Sequence, residues 1–201
     1  MALGIGANTT MFSVVNSVAA ASSARLSEDR LIQISNSDRA GLGFLSPEVY
    51  KQLREQSLSF EQVSANQFCR VNFTGLGEPE QLVSPCATAN WFELQRASAL
   101  LGRTFLPDED QRGRNRVVVL DHAYWLGRFG GDSKIIGTTL TLNNEPWSVI
   151  GIMPPTFKPV AAAASPIYTP YVLADNADTG VNVVRDSSPV SCSKPPKRKS
   201  R

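Results

Sequence analysis

The run Val117-Val118-Val119-Leu120 constrains this chain more than any other stretch. It is β-branched, apolar and of strand length, with no polar position to turn toward water. Such a run reads as a strand that must be covered. What surrounds it fits. Asp121 is placed to cap a helix over His122–Phe129, and Gly130-Gly131 to end it. Thr138–Leu142 and Trp147–Ile152 read as two strands around Asn143-Asn144-Glu145-Pro146. Residues 101–155 therefore read as loop, buried strand, short helix and hairpin, the best-formed piece of the chain.

With 201 residues the chain can hold one domain or two small lobes with a real core. Its apolar fraction of 42% is that of ordinary globular proteins. A net charge of +2 gives no case for a surface built around nucleic acid or an acidic ligand. Much of the basic excess lies in Lys194-Pro195-Pro196-Lys197-Arg198-Lys199-Ser200-Arg201, which reads as a solvated tail.

Along the chain, Met1–Ala24 lacks any charged residue, and Leu3, Ala7, Met11, Val14, Val15 and Val18 recur at helical spacing. Three readings stay open: a packed amphipathic helix, the outer end of a membrane helix, or a signal peptide without its basic start. Leu31–Ser35 is a short strand. Ser46-Pro47-Glu48 opens a helix that ends at Gln56-Ser57, and Phe60–Asn66 is a second strand. Phe68–Phe73 and Gln81–Thr88 straddle Gly75–Pro79 as a hairpin, and Asn90 is placed to cap a helix over Trp91–Arg96. Phe105-Leu106-Pro107 reads as an exposed loop, and Ile167–Val172 as one more strand. From Ala174 the pattern decays, and Ser187–Arg201 is Ser/Pro/Lys-rich.

Residues with chemistry are few. Cys69, Cys86 and Cys192 form no CxxC pair and are joined by one histidine, which excludes the usual zinc spacings. A hairpin turning at Gly77-Glu78 sets Cys69 and Cys86 opposite each other, at ~4.5–5.5 Å between Cβ atoms. That is wide for a bridge, so two buried thiols are the expectation. Any Ser-His-Asp or Cys-His mechanism would need His122, which the helical pattern sets on one side with Leu126 and Phe129. Asp108-Glu109-Asp110 lacks the alternation of a calcium loop and reads as solvated. Gly4-Ile5-Gly6-Ala7-Asn8-Thr9 follows no strand and lacks the third glycine of a dinucleotide loop. Asn72-Phe73-Thr74 matches a glycosylation acceptor, a pattern of low specificity. Trp91, Phe92, Tyr124, Trp125, Phe129 and Trp147 read as core.

Several stretches carry more meaning in combination than alone. They are Ala2–Thr9, Met11–Asn16, Gly75–Gln81, Ala89–Leu94, Leu101–Phe105 and, longest, Arg116–Met153 with Pro154-Pro155. In this order, over Ala2 to Val172, the chain resembles the MacB-like periplasmic core domain of bacterial ABC-type permeases. It is most similar to the orphan permeases that carry no ATPase domain and are common in acidobacteria.

The resemblance implies an α+β fold: a two-lobed periplasmic domain with mixed sheets and short helices, preceded by an N-terminal helix. Residues 1–24 would be the outer end of a membrane helix, and 25–66 the first half of a β-α-β lobe. Residues 67–173 would be an inserted α/β lobe, and 174–201 a disordered basic tail. The implied role is non-enzymatic, coupling membrane-helix movement to export or partner engagement at the inner membrane, on its periplasmic side. It carries over no catalytic, cofactor-binding or metal residues and no cofactor. The implied partners are the remaining membrane helices or a second permease chain and a separate ATPase subunit, with no nucleic acid. Against the family pattern, the sequence begins within the first helix and has the basic tail where a second β-α-β half is due. It reads as a truncated member whose first lobe keeps an unpaired sheet edge. The alternatives are a soluble or anchored periplasmic binding or adaptor module, a non-functional fragment, or a small hydrolase using His122.

Overall fold

The computed structural model describes residues 31–34, 50, 62–75, 77–159, 165–173 and 182–186. The expected N-terminal helix, the Ser187–Arg201 tail and, apart from a helical Tyr50, the helix after Ser46 lie outside the described residues.

The strands are β1 (Leu31–Ile34), β2 (Val63–Thr74), β3 (Glu80–Ala87), β4 (Leu101–Gly102), β5 (Val117–Leu120), β6 (Thr139–Leu142), β7 (Glu145–Ile152), β8 (Ile167–Pro170) and β9 (Asn182–Asp186). Two α-helices are described, α1 (Trp91–Leu94) and α2 (His122–Phe129), with a 3-10 turn at Ser133–Ile135. The elements form a mixed, sheet-rich α+β fold with short helices.

The pairing closes on itself. β2 pairs β3, β3 pairs β8, β8 pairs β5, β5 pairs β7, β7 pairs β6, and β6 returns to β2. This ring is a small barrel, closed through short ladders: β6 meets β2, and β8 meets β3 and β5, at two residue pairs each. Every strand of the ring sends side chains inward: Val71 and Phe73, Leu82, Val118 and Leu120, Leu140 and Leu142, Trp147, Val149 and Ile152, and Ile167. Val117-Val118-Val119-Leu120 is buried on both faces, as its composition requires. Val118 and Leu120 fill the barrel, while Val117 and Val119 meet a second apolar layer outside it.

A bulge makes that arrangement possible in β7. Val118 pairs with Val149, but Val119 pairs with Gly151, so Ile150 is the extra residue. Before it, Trp147 and Val149 point inward; after it, Ile152 does. Ile150 and Met153 turn to the outer layer instead. At the bulge the backbone runs close to its neighbour: a Cβ on Gly151 would collide with the Arg103 carbonyl oxygen.

The β6–β7 hairpin is tighter than expected. Asn143 and Asn144, with φ of 50° and 63°, make a two-residue turn, and Glu145-Pro146 belong to β7. Asparagine tolerates this left-handed pair better than most residues. Asn143 also closes the barrel seam. Its N–H donates to Asn72 O, and its Oδ1 accepts from Asn72 N–H, both at 2.8 Å.

Other expectations need correction. Phe60–Asn66 and Phe68–Phe73 are not separate strands, since β2 runs unbroken from Val63 to Thr74. Its first residues pair with β9 and its later ones with the barrel, so one strand serves two sheet regions. The stretch after Ala174 is not patternless, because Asn182–Asp186 lies between β1 and β2, antiparallel to both. The expected open edge is therefore occupied at β2; Val183-Val184 supplies the β-branched character a short strand needs. Phe105 is buried rather than in an exposed loop.

Candidate functional site

Asp121 behaves as the sequence predicts. Its carboxylate accepts from Ala123 N–H at 2.8 Å, and α2 ends at Gly130, whose φ is 61°. The helix face differs from expectation. Trp125 is the buried residue and Leu126 is exposed, while His122 lies edge-on to Trp125 at 5.6 Å. Trp125 Nε1 donates to Asp132 O at 3.0 Å. With its carboxylate committed to the cap, Asp121 holds α2 and His122 packs on it.

Helix α2 sits against the tip of the β2–β3 hairpin. Phe129 meets Phe73 edge-on at 6.4 Å, the Arg128 guanidinium lies 5.5 Å from the Phe73 ring centroid, and Tyr124 OH donates to Glu80 at 3.1 Å. Burial, reinforced by the Glu80 charge, pushes the Tyr124 hydroxyl up to about 12. Burial raises Tyr171 to about 12 as well, and raises Tyr168 further with help from Asp121.

Nearer the base of the same hairpin, Cys69 and Cys86 are joined by a disulfide. This overturns the expectation of two free thiols. The register is two residues away from the one a Gly77-Glu78 turn would give: Cys69 faces Ser84, and Cys86 faces Gln67. The cysteines are thus diagonal neighbours, with Cα atoms 5.8 Å apart, well inside bridging range. The signal was present in the alternation. Val71 and Leu82 are paired core residues, and counting by twos from each reaches Cys69 and Cys86 on that same inward face. The surroundings are polar. Gln67 Nε2 lies 3.8 Å from Cys69 Sγ, Thr169 Oγ1 lies 3.2 Å from Cys86 Sγ, and Ser84 donates to Ile167 O at 3.0 Å.

On the opposite face of the hairpin, Phe68 is 47% exposed and Val83 is 51% exposed. Phe68 pairs with Pro85 and Arg70 with Val83, so the two apolar side chains are diagonal neighbours.

Asp108-Glu109-Asp110 is structural rather than solvated. Glu109 is buried and takes a two-pronged ion pair from Arg103, at 2.9 and 2.7 Å, and also accepts from Leu106 N–H at 2.8 Å. That pairing holds the Arg103 guanidinium above its usual range. Asp110 accepts from Ala89 N–H at 3.1 Å, and Asp108 pairs with Arg114. Asn90 does not cap α1; it donates to Val63 O at 2.9 Å and accepts from Thr88 at 2.9 Å. Among the described residues no His/Cys/Asp/Glu cluster could hold a metal, and no helix is long and apolar enough to cross a membrane.

Comparison with known proteins fixes what this arrangement resembles. A model of the MacB-like periplasmic core domain matches residues 1–189. No curated protein matches. Among solved structures, the periplasmic region of MacB from Actinobacillus actinomycetemcomitans superposes with a TM-score of 0.61 at 20% identity, covering 81% of this chain and 77% of that one. The extracellular domain of the noncanonic ABC-type transporter YknZ from Gram-positive bacteria gives a TM-score of 0.57 at 19% identity, covering 81% and 83%. A domain of a putative permease protein from Porphyromonas gingivalis gives 0.58 at 12% identity, covering 81% and 76%. At these identities the structures speak for the fold.

Proposed function

Because the chain belongs to the MacB-like periplasmic core domain family, we propose that it is the non-catalytic extracytoplasmic part of an ABC-type permease, coupling movement of membrane helices to export or partner engagement. In this reading the barrel is the inserted lobe of residues 67–173. β1 and β9, joined to it through β2, belong to the β-α-β lobe. Residues 1–24 are the outer end of a membrane helix, and ATP hydrolysis comes from a separate subunit.

The family match across residues 1–189 carries the reading. The Cys69–Cys86 disulfide supports its location, because such bonds form and persist in oxidising compartments and are rare in reducing cytoplasm. A continuous β2 supports the mechanical part: a strand shared by the barrel and the β1–β9 pair passes a displacement from one to the other without a flexible link.

The test is a pair of reporter fusions at the end of the full chain, expressed in a Gram-negative host, with carbonate extraction of the membranes. The proposal predicts an active alkaline phosphatase fusion, a dark cytoplasmic fluorescent fusion and protein that stays with the carbonate-washed pellet. A fluorescent fusion with inactive phosphatase would contradict the extracytoplasmic placement. Release into the carbonate supernatant would contradict membrane attachment.

A further inference from the structure

The two sulfurs of the barrel disulfide are not equivalent. Cys86 is 5% exposed and wedged beside Thr169, on a strand paired on both sides, with β2 and with β8. Cys69 is half-buried, on the partner strand, and has the Gln67 amide pointed at its sulfur. Thiol–disulfide exchange needs in-line access to one sulfur, and a donor beside that sulfur favours its thiolate form. A donor stands beside each sulfur, Gln67 at Cys69 and Thr169 at Cys86, so the greater exposure of Cys69 decides which sulfur is attacked.

We propose that Cys69–Cys86 is a thiol-exchange site with a fixed order: dithiol–disulfide oxidants install the bond through Cys69, and Cys86 is the resolving thiol. In the forward direction the Cys69 thiolate, having lost its proton to solvent, attacks one sulfur of the oxidant's disulfide. A Cys69–oxidant mixed disulfide forms, and the oxidant's other sulfur leaves as a thiolate and takes up a proton. The Cys86 thiolate, its proton likewise lost to solvent, then attacks Cys69 Sγ. The barrel bond forms and the oxidant's second sulfur leaves and is protonated. Two thiols are oxidised to one disulfide, and one disulfide of the oxidant is reduced to two thiols. Reduction retraces these steps, so an external thiolate attacks Cys69 and expels Cys86.

The position gives the order a consequence. Cys86 becomes inaccessible when β8 pairs with β3, through Cys86 opposite Thr169. An oxidant that reacts through Cys69 can still complete the bond after the barrel wall has assembled, whereas one requiring Cys86 could act only before. The site is thus a late staple, set after β2 and β3 have found their register. The inference rests on this geometry and not on the compartment in which the chain resides.

The experiment uses the full chain carrying Cys192→Ser, oxidised and folded. Glutathione is added, the reaction is quenched with acid early in its course, and the mixed disulfide is located by peptide mass spectrometry. Adduct on Cys69 should exceed adduct on Cys86 by about tenfold or more, and the excess should vanish in denaturant. Equal or greater adduct on Cys86 without denaturant would overturn the order, and so would an absence of any adduct until denaturant is added. As a second measurement, in the same Cys192→Ser background, glutathione disulfide should modify Cys86→Ser faster than Cys69→Ser under native conditions. Equal rates for two variants that keep the native circular dichroism would also overturn it.

Discussion

Inside the barrel, apolar side chains come from every strand of the ring, two residues apart on β2, β5 and β6, and meet in one core. Outside it, Trp91, Phe92, Phe105, Phe157 and Tyr168 come from a one-turn helix, two loops and one strand, and meet as a cluster of rings 5.0 to 6.2 Å apart. Strand register positions the first group. The second depends on irregular backbone, so polar contacts must hold it in place. Arg103–Glu109 fixes the loop that delivers Phe105, and Asp110 on Ala89 N–H ties that loop to the start of α1. The two layers share β5, β7 and β8 but are secured by different chemistry.

The largest effects should come from the rings. Phe92→Ala removes a fully buried ring that touches Trp91, Phe105, Phe157 and Tyr168, and should cost about 4 kcal/mol in a urea melt. Leu120→Ala in the barrel should cost about 3 kcal/mol. If the layers are secured separately, hydrogen exchange below the melt should rise around α1 in the first variant and around β5 and β8 in the second. Next comes the disulfide, which closes a separation of 17 residues; its reduction, or Cys69→Ser, should cost about 3 kcal/mol. A double Cys69→Ser/Cys86→Ser variant should cost little more than one change alone, since each removes the same bond.

Glu109→Gln should cost about 2 kcal/mol, less than a fully buried pair because the Arg103 side chain is 41% exposed. Fluorescence should change at Trp91 in the outer layer and not at Trp125 or Trp147 against the barrel, read in single-tryptophan backgrounds. The smallest effect is alkaline. Tyr124 and Tyr171 are each held up to about 12 against an ordinary 10.0, so the folded state keeps protons that the unfolded state releases. That stability is fully present below pH ~10 and is lost as pH rises through the folded values. Tyr124→Phe should flatten part of that fall when melts are repeated across the alkaline range.

Several strands of the barrel and the helix α2 were legible from sequence; the closure of the strands into a ring and the outer layer were not. Val117–Leu120 announced burial on both faces, Asp121 and Gly130 marked the ends of α2, and alternation in Thr139–Leu142 and Trp147–Val149 marked the hairpin. Alternation fails at Ile150, where the bulge swaps faces and only the partner strand shows it. Glu109 looked solvated because local pattern cannot see that Arg103 is folded back to neutralise it. Asn90 looked like a cap because its competing acceptor, Val63 O, is distant in sequence. The disulfide was missed for a similar reason. Face was readable from parity, but register depended on how the Gly75–Pro79 loop turns, and a two-residue shift converts opposite cysteines into bridged diagonal ones.

The staple across β2 and β3 and the proposed extracytoplasmic placement can be tested together in living cells. Intact cells expressing the full chain are trapped with a membrane-permeant alkylating agent, and the thiol state of Cys69 and Cys86 is read from peptides prepared without reductant. Recovery of the two as one disulfide-linked peptide pair is the result predicted. Recovery of both as alkylated free thiols would contradict the staple and remove the physical support for an extracytoplasmic site.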